Sequence, residues 1–147
     1  MMCPDLGILA KTANNNIIQE ANQMELKFFV CQHCKNIVAM VRNAGVPIVC
    51  CGEKMKELIP GTTEGATEKH IPVCKVEGNR VTVTVGSTEH PMLEEHSIEW
   101  VALQTKQGAQ YKMLTPGHSP TVSFALCDAD EFESAYAYCN LHGLWKA

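Results

Sequence analysis

The sequence predicts a mostly β protein, with a small metal-stapled module ahead of a β-sandwich or barrel, and three observations carry that prediction. Arg80-Val81-Thr82-Val83-Thr84-Val85 alternates polar and apolar residues with the period of a half-buried strand. Cys31, Cys34, Cys50 and Cys51 crowd into a stretch too short to bury much apolar surface by itself, the usual mark of a fold held by a metal. No long amphipathic helical pattern interrupts either part.

Taken in order, residues 1–23 contain Asn14-Asn15-Asn16 and show neither alternation nor a helical stripe, so a poorly ordered extension is expected there. A second start at Met24 would open the compact protein directly. Residues 24–61 form the cysteine module, and Pro60-Gly61-Thr62-Thr63-Glu64-Gly65, polar and rich in turn formers, reads as the linker out of it. Residues 62–147 form the sandwich. Besides 80–85, strands are expected from Ser97 to Leu103, Tyr111 to Leu114, Thr121 to Leu126 and Ser134 to Tyr138. Turn signals at Glu77-Gly78-Asn79, Lys106-Gln107-Gly108, Thr115-Pro116-Gly117 and Cys127-Asp128-Ala129-Asp130 separate them.

At 147 residues the chain allows one or two domains. Twelve Lys and Arg against sixteen Asp and Glu give a net charge of -4 with no basic block, which argues against a nucleic-acid partner. No apolar run is long enough to cross a bilayer, and Met1-Met2-Cys3-Pro4-Asp5 lacks the basic and apolar regions of a secretory signal, so a cytoplasmic location is expected. Eight cysteines in a reducing compartment point to metal ligands before disulfides.

Cys31-Gln32-His33-Cys34 followed by Cys50-Cys51 supplies four thiolates for a closed tetrahedral site, open at this point to iron or zinc. A structural zinc ribbon is the commoner use of four cysteines, but ribbons pair two Cys-x-x-Cys knuckles, and adjacent cysteines would distort the site. His33 is expected to face solvent. A second set of candidates lies in Glu68-Lys69-His70-Ile71-Pro72, in His90-Pro91-Met92-Leu93-Glu94-Glu95-His96, and in Cys139-Asn140-Leu141-His142-Gly143-Leu144-Trp145. All fall near predicted strand ends, where loops converge. Four imidazoles and one thiolate on a ferrous ion would leave one position open and a net charge of about +1, suited to a small anion. The competing reading makes Cys139 a nucleophile with His142. Cys3, Cys74 and Cys127 are expected to be free thiols, the last two buried.

These motifs, Glu-Lys-His-x-Pro, His-Pro-x-x-Glu-Glu-His-x-Ile-Glu-Trp and Cys-Asn-x-His-Gly-Leu-Trp in that order, resemble the superoxide reductases. The Cys-x-x-Cys and Cys-Cys pairs resemble the desulforedoxin module of the two-iron, desulfoferrodoxin class, and the likeness runs from about Met24 to Trp145. It implies an immunoglobulin-like β-sandwich behind a desulforedoxin-like domain, in a homodimer. It also implies two irons: one on Cys31, Cys34, Cys50 and Cys51, the other with equatorial His70, His90, His96 and His142 and axial Cys139. Glu68 would close onto the ferric site and Lys69 would lie beside the vacant position. The implied activity is reduction of superoxide to hydrogen peroxide by one electron and two protons, with a donor such as rubredoxin restoring the ferrous state. Two other classes remain to be weighed, an iron protein that only transfers electrons and a zinc-stabilised interaction module.

Overall fold

The computed structural model describes residues 25–147, so the extension, the Met24 start and Cys3 lie outside the described residues. Twelve strands and one short helix follow in the order β1 Lys27–Val30, β2 Ile37–Met40, β3 Val49–Cys50, β4 Glu53–Lys54, β5 Lys56–Leu58, α1 Thr67–His70, β6 Pro72–Glu77, β7 Arg80–Val85, β8 Ile98–Thr105, β9 Gly108–Met113, β10 Thr121–Ala125, β11 Phe132–Cys139 and β12 Gly143–Lys146. The protein is mostly β, as its alternation requires.

Two antiparallel sheets, β10-β7-β6 and β12-β11-β8-β9, make the immunoglobulin-like sandwich. Val81, Val83 and Val85 from β7 meet Ile98, Val101 and Leu103 from β8 and Ala135, Ala137 and Cys139 from β11 in its core. The β6–β7 turn closes over Gly78 and Asn79, with Glu77 opposite Arg80, and Gly78 takes φ +56°, the left-handed region that a two-residue hairpin turn of this kind uses. Cys74, expected to be buried, is half-buried against this core. Cys127 corrects its expectation outright: it is exposed, because it follows β10 in the turn closed by Asp130 N–H donating to Cys127 O (3.1 Å), where a side chain points away from both sheets.

β8 departs from the half-buried pattern. Seven of its eight residues are buried because both of its faces are covered. The covering layer is the cysteine module, a β2-β1-β5 sheet and a β3–β4 hairpin. Phe28, only 2 % exposed, inserts against Trp100, Ala102, Tyr136 and Leu144 on the outer face of the four-stranded sheet. Its ring lies 4.8 Å from Trp100 and 5.6 Å from Tyr136. Along β11 the residues therefore alternate between duties, with Ala135, Ala137 and Cys139 turned into the sandwich and Tyr136 and Tyr138 toward the module.

The segment read as a linker is tied down. Gly61 N–H donates to Leu144 O (2.8 Å), and Thr63 Oγ1 donates to the carbonyl of His142. Strands β6 and β12 and the short strands of the module carry no clear alternation and were not foreseen. Since Phe28 is the module's main apolar anchor, Phe28→Ala should destabilise the protein by about 3–5 kcal/mol, the range for truncating a buried aromatic. Denaturant unfolding of wild type and variant measures it.

Candidate metal centres

Four segments carry the larger centre. His70 ends α1, His90 and His96 lie in the β7–β8 connection, Cys139 ends β11, and His142 lies in the β11–β12 turn. Helix α1 is held by the turn after β7: Gly86 N–H donates to Ile71 O (3.1 Å), and Thr88 N–H donates to Glu68 O (3.0 Å). Gly86 takes φ +86°, and a Cβ there would fall 2.6 Å from Lys69 O and collide with Thr88 O. Only glycine allows that approach. The second loop is tightened by Leu93 N–H donating to His96 O (2.9 Å) and is joined to the β11–β12 turn by Asn140. Its Oδ1 accepts from Ser97 N–H (3.0 Å), and its Nδ2 donates to Glu95 O (3.1 Å). A bulge between β8 and β11 pairs Cys139 with Ile98 directly after Tyr138 with Trp100, which re-aims the strand end at the site.

Each of two imidazoles is oriented by a backbone carbonyl. His70 Nδ1 lies 2.7 Å from Ala66 O and His90 Nδ1 lies 2.6 Å from Pro91 O. A carbonyl only accepts, so Nδ1 carries the hydrogen and Nε2 keeps its lone pair. Those two bare Nε2 atoms face each other at 3.1 Å, and His142 Nδ1 sits 3.0 Å from His70 Nε2. The nitrogens of a square around one ion, each about 2.1 Å from it, would be about 3 Å apart. The rings agree: successive centroids His70–His90, His90–His96, His96–His142 and His142–His70 are 4.7, 4.7, 4.9 and 4.7 Å apart, and the diagonal His70–His96 is 6.4 Å. His96 Nε2 is buried without a hydrogen-bond partner among the described residues. Cys139 Sγ completes the group, 3.5 Å from His142 Nδ1, and all five donor atoms lie within 4.8 Å of one another. Lone pairs so placed repel unless a cation sits among them, so the donors fit a metal.

Burial lowers the imidazoles of His70 and His96 and takes His90 down to about 4, which keeps them in the neutral form that binds metal. Burial also pushes the Cys139 thiol up, the wrong direction for an activated nucleophile. Glu68 and Lys69 are exposed on α1, outside the donor group, and the Lys69 charge acts on both His70 and His96.

The second group is Cys31, Cys34, Cys50 and Cys51. Sγ of Cys34 and Cys50 are 3.6 Å apart, and Sγ of Cys50 and Cys51 are 3.9 Å apart. A tetrahedron of sulfurs about 2.3 Å from a central ion has edges of about 3.8 Å. Adjacent cysteines reach one ion because Cys51 (φ +52°) and Gly52 (φ +81°) form a left-handed turn between β3 and β4. The backbone N–H of Cys34 holds the Cys31 thiol down to about 6, while the sulfurs of Cys34 and Cys31 push Cys50 up to about 12. All four ionise together only around a cation. His33 is exposed as expected and lies 3.3 Å from Glu53.

Two residues were quoted in the motifs without being given a part. Asn140 ties the two loops, and Trp145 stacks on His70 at 4.9 Å while its Nε1–H donates to His142 O (3.0 Å). Their places beside Cys139 and His142 in one short motif were the available signal.

An antiparallel sandwich with a four-imidazole, one-thiolate centre, joined to a four-cysteine module, defines a protein with two mononuclear metal sites. A family model for desulfoferrodoxin matches residues 62–147. Desulfoferrodoxin of Nitratidesulfovibrio vulgaris is 47 % identical over 126 residues, covering 86 % of this chain and 97 % of its own. Superoxide reductase of Pyrococcus horikoshii is 32 % identical over 96 residues, 54 % of this chain and 84 % of its own. The crystal structure of the superoxide reductase from Treponema pallidum superposes with a TM-score of 0.72 at 43 % identity, covering 84 % of this chain and 98 % of that one. The chain belongs to the desulfoferrodoxin family.

Because Gly86 sets the position of α1, Gly86→Ala is expected to cost about 1–3 kcal/mol in strain and displacement. It should also weaken metal binding at the His70 end of the larger centre while sparing the cysteine module. Thermal unfolding and a metal titration of both proteins check this.

Proposed function

We propose that the protein is a superoxide reductase, an oxidoreductase that takes superoxide as its electron acceptor and forms hydrogen peroxide. The observation that carries the reading is the square of four imidazoles with one buried cysteine sulfur beside it, a donor set that would leave one position for a small anion. The names of its relatives point the same way. Iron held by His70, His90, His96, His142 and Cys139 would supply the electron, and a second iron would be held by Cys31, Cys34, Cys50 and Cys51. Two protons complete peroxide. The domains on this reading are 24–61 and 62–147, and the partners are a donor such as rubredoxin and a second copy of the chain, in the cytoplasm.

The chain's own groups have separable parts. Ala66 O and Pro91 O hold His70 and His90 in the tautomer that faces inward. The Lys69 ammonium draws the anion toward the four imidazoles, and the Glu68 carboxylate on the same short helix would act after transfer, as an acidic group able to close on the iron. A zinc-stabilised interaction module would have no use for the open five-donor centre, and a pure electron carrier gains nothing from a vacant position.

Cys139→Ser should lose the visible thiolate-to-metal band of the oxidised protein and nearly all superoxide reduction; a fully active serine variant would remove the thiolate from the assignment. Lys69→Ala tests steering. At a separation of about 6 Å, Coulomb attraction between ammonium and superoxide is about 0.7 kcal/mol in water and about 3 at an effective dielectric near 20. Each 1.4 kcal/mol or so is tenfold, so capture should slow roughly 3-fold to 100-fold and lose part of its salt dependence, whereas Glu68→Ala should leave it unchanged or slightly faster. Pulse-radiolysis rates across a salt series report both.

A further inference from the structure

The connection from β7 to β8 carries two of the four imidazoles, and one side chain between them turns inward. Leu93, Glu94 and Glu95 are exposed, whereas Met92 is half-buried against the sandwich core. Its carbonyl accepts from Gly117 N–H of the β9–β10 turn (2.7 Å), and its Sδ accepts from Ile98 N–H at the start of β8 (3.4 Å). Ile98 is fully buried and pairs with Cys139 just beyond the bulge, so an acceptor for its N–H has to come from within the fold. Core packing would be served by any apolar residue of this size. Accepting the Ile98 N–H needs the sulfur.

Met92 also stands between the two features that orient the imidazoles of its loop. Pro91 O, on the residue before it, fixes His90 Nδ1 at 2.6 Å. Leu93, the residue after it, exchanges backbone N–H to carbonyl bonds with His96 in both directions (2.9 and 3.2 Å), so Leu93 and His96 move together. A shift of Met92 is therefore passed to both rings.

We propose that Met92 is a positioning residue of the larger centre, its sulfur and carbonyl latching the loop that bears His90 and His96 to the strand residue that pairs with Cys139. The latch sets where two imidazoles stand relative to the cysteine sulfur. The inference rests on the reading that these five donors hold iron, and it needs no superoxide chemistry. Met92 itself touches no metal: it acts through the groups that orient the ligands, and losing such a group lowers metal affinity about 10-fold to 100-fold. By linkage, the factor by which the latch tightens iron binding is the factor by which iron tightens the latch.

The test uses the iron-loaded protein. Met92→Leu keeps the volume and removes the acceptor. Ferrous iron should leave its histidine centre for a chelator roughly tenfold faster than in wild type. The thiolate-to-iron band of the oxidised centre should shift, while the four-cysteine centre keeps its colour and its iron. Met113→Leu, at a side chain 75 % exposed, should change neither centre. A merely structural role would lower the unfolding temperature but leave the band and the release of iron as in wild type, and that result overturns the proposal. If Met92→Leu fails to fold, hydrogen exchange in the unmutated protein decides. Stripping iron from the histidine centre should speed exchange of the Gly117 amide about tenfold. The Leu126 amide, which donates to Asn79 O at the far end of β7, should not change. Equal exchange at Gly117 with and without iron overturns the latch. Superoxide enters none of these measurements, so a protein inert toward it would sink the proposed activity and leave this result standing.

Discussion

Five donor atoms with their lone pairs turned inward cannot be packed together without a positive charge among them, and the rest of the sandwich is arranged to hold them there. The facing Nε2 atoms of His70 and His90, 3.1 Å apart and neither with a hydrogen to share, repel each other. The fold resists that repulsion at the second nitrogen of His70 and of His90, where backbone carbonyls at 2.7 and 2.6 Å fix each ring. Those carbonyls are held in turn by loops that β7, β8 and β11 anchor. Burial keeps the rings neutral but does not remove the repulsion, so folding around the site and metal binding are one linked equilibrium.

The same sheet that positions the thiolate carries the other module. A strand has two faces, and β8 and β11 use both: Val101, Leu103, Ala137 and Cys139 on the inner face, Trp100, Ala102, Tyr136 and Tyr138 on the outer. A one-residue slip in β11 would therefore turn Cys139 out toward the module and a tyrosine into the metal site. Register is specified from both sides at once, by valine and alanine packing within the sandwich and by the fit of Phe28 among the outer rings. The bulge between Tyr138 and Cys139 sits where the two demands meet.

Legibility in the sequence followed the range of the interactions. Arg80 to Val85 could be read because one face of β7 meets the core and the other meets neighbouring polar side chains, and the ends of β10 and β11 fell within a few residues of expectation. Both donor groups were legible because their members come in short motifs. β6 was hidden by Val73, Cys74 and Val76, which do not alternate cleanly at a sheet edge. β12 was hidden because Leu144 and Trp145 are both buried, one under Phe28 and the other on His70. Cys127 misled because its apolar character says nothing about a turn that leaves the sheet. The roles of Gly86 and Gly65 were invisible for a further reason: each is defined by what lies opposite, the Lys69 backbone in one case and Trp145, His70 and His142 in the other.

That last contact bears on how the site is closed. Gly65 lies in the segment between the modules, and a Cβ there would approach Trp145 at 3.1 Å, His70 at 3.3 Å and His142 at 3.4 Å. The chain leaving the cysteine module thus passes directly over two neighbouring corners of the histidine square before it enters α1. Thr63 holds the carbonyl of His142 and Trp145 holds it too, so the connection and the last strand grip one ligand-bearing turn from two directions. A connection free to swing would leave that turn to its own hairpin. With the connection pinned, His142 is set by the β11–β12 turn, the indole and the entering chain together, and the module's docking through Phe28 is mechanically continuous with the geometry of the centre.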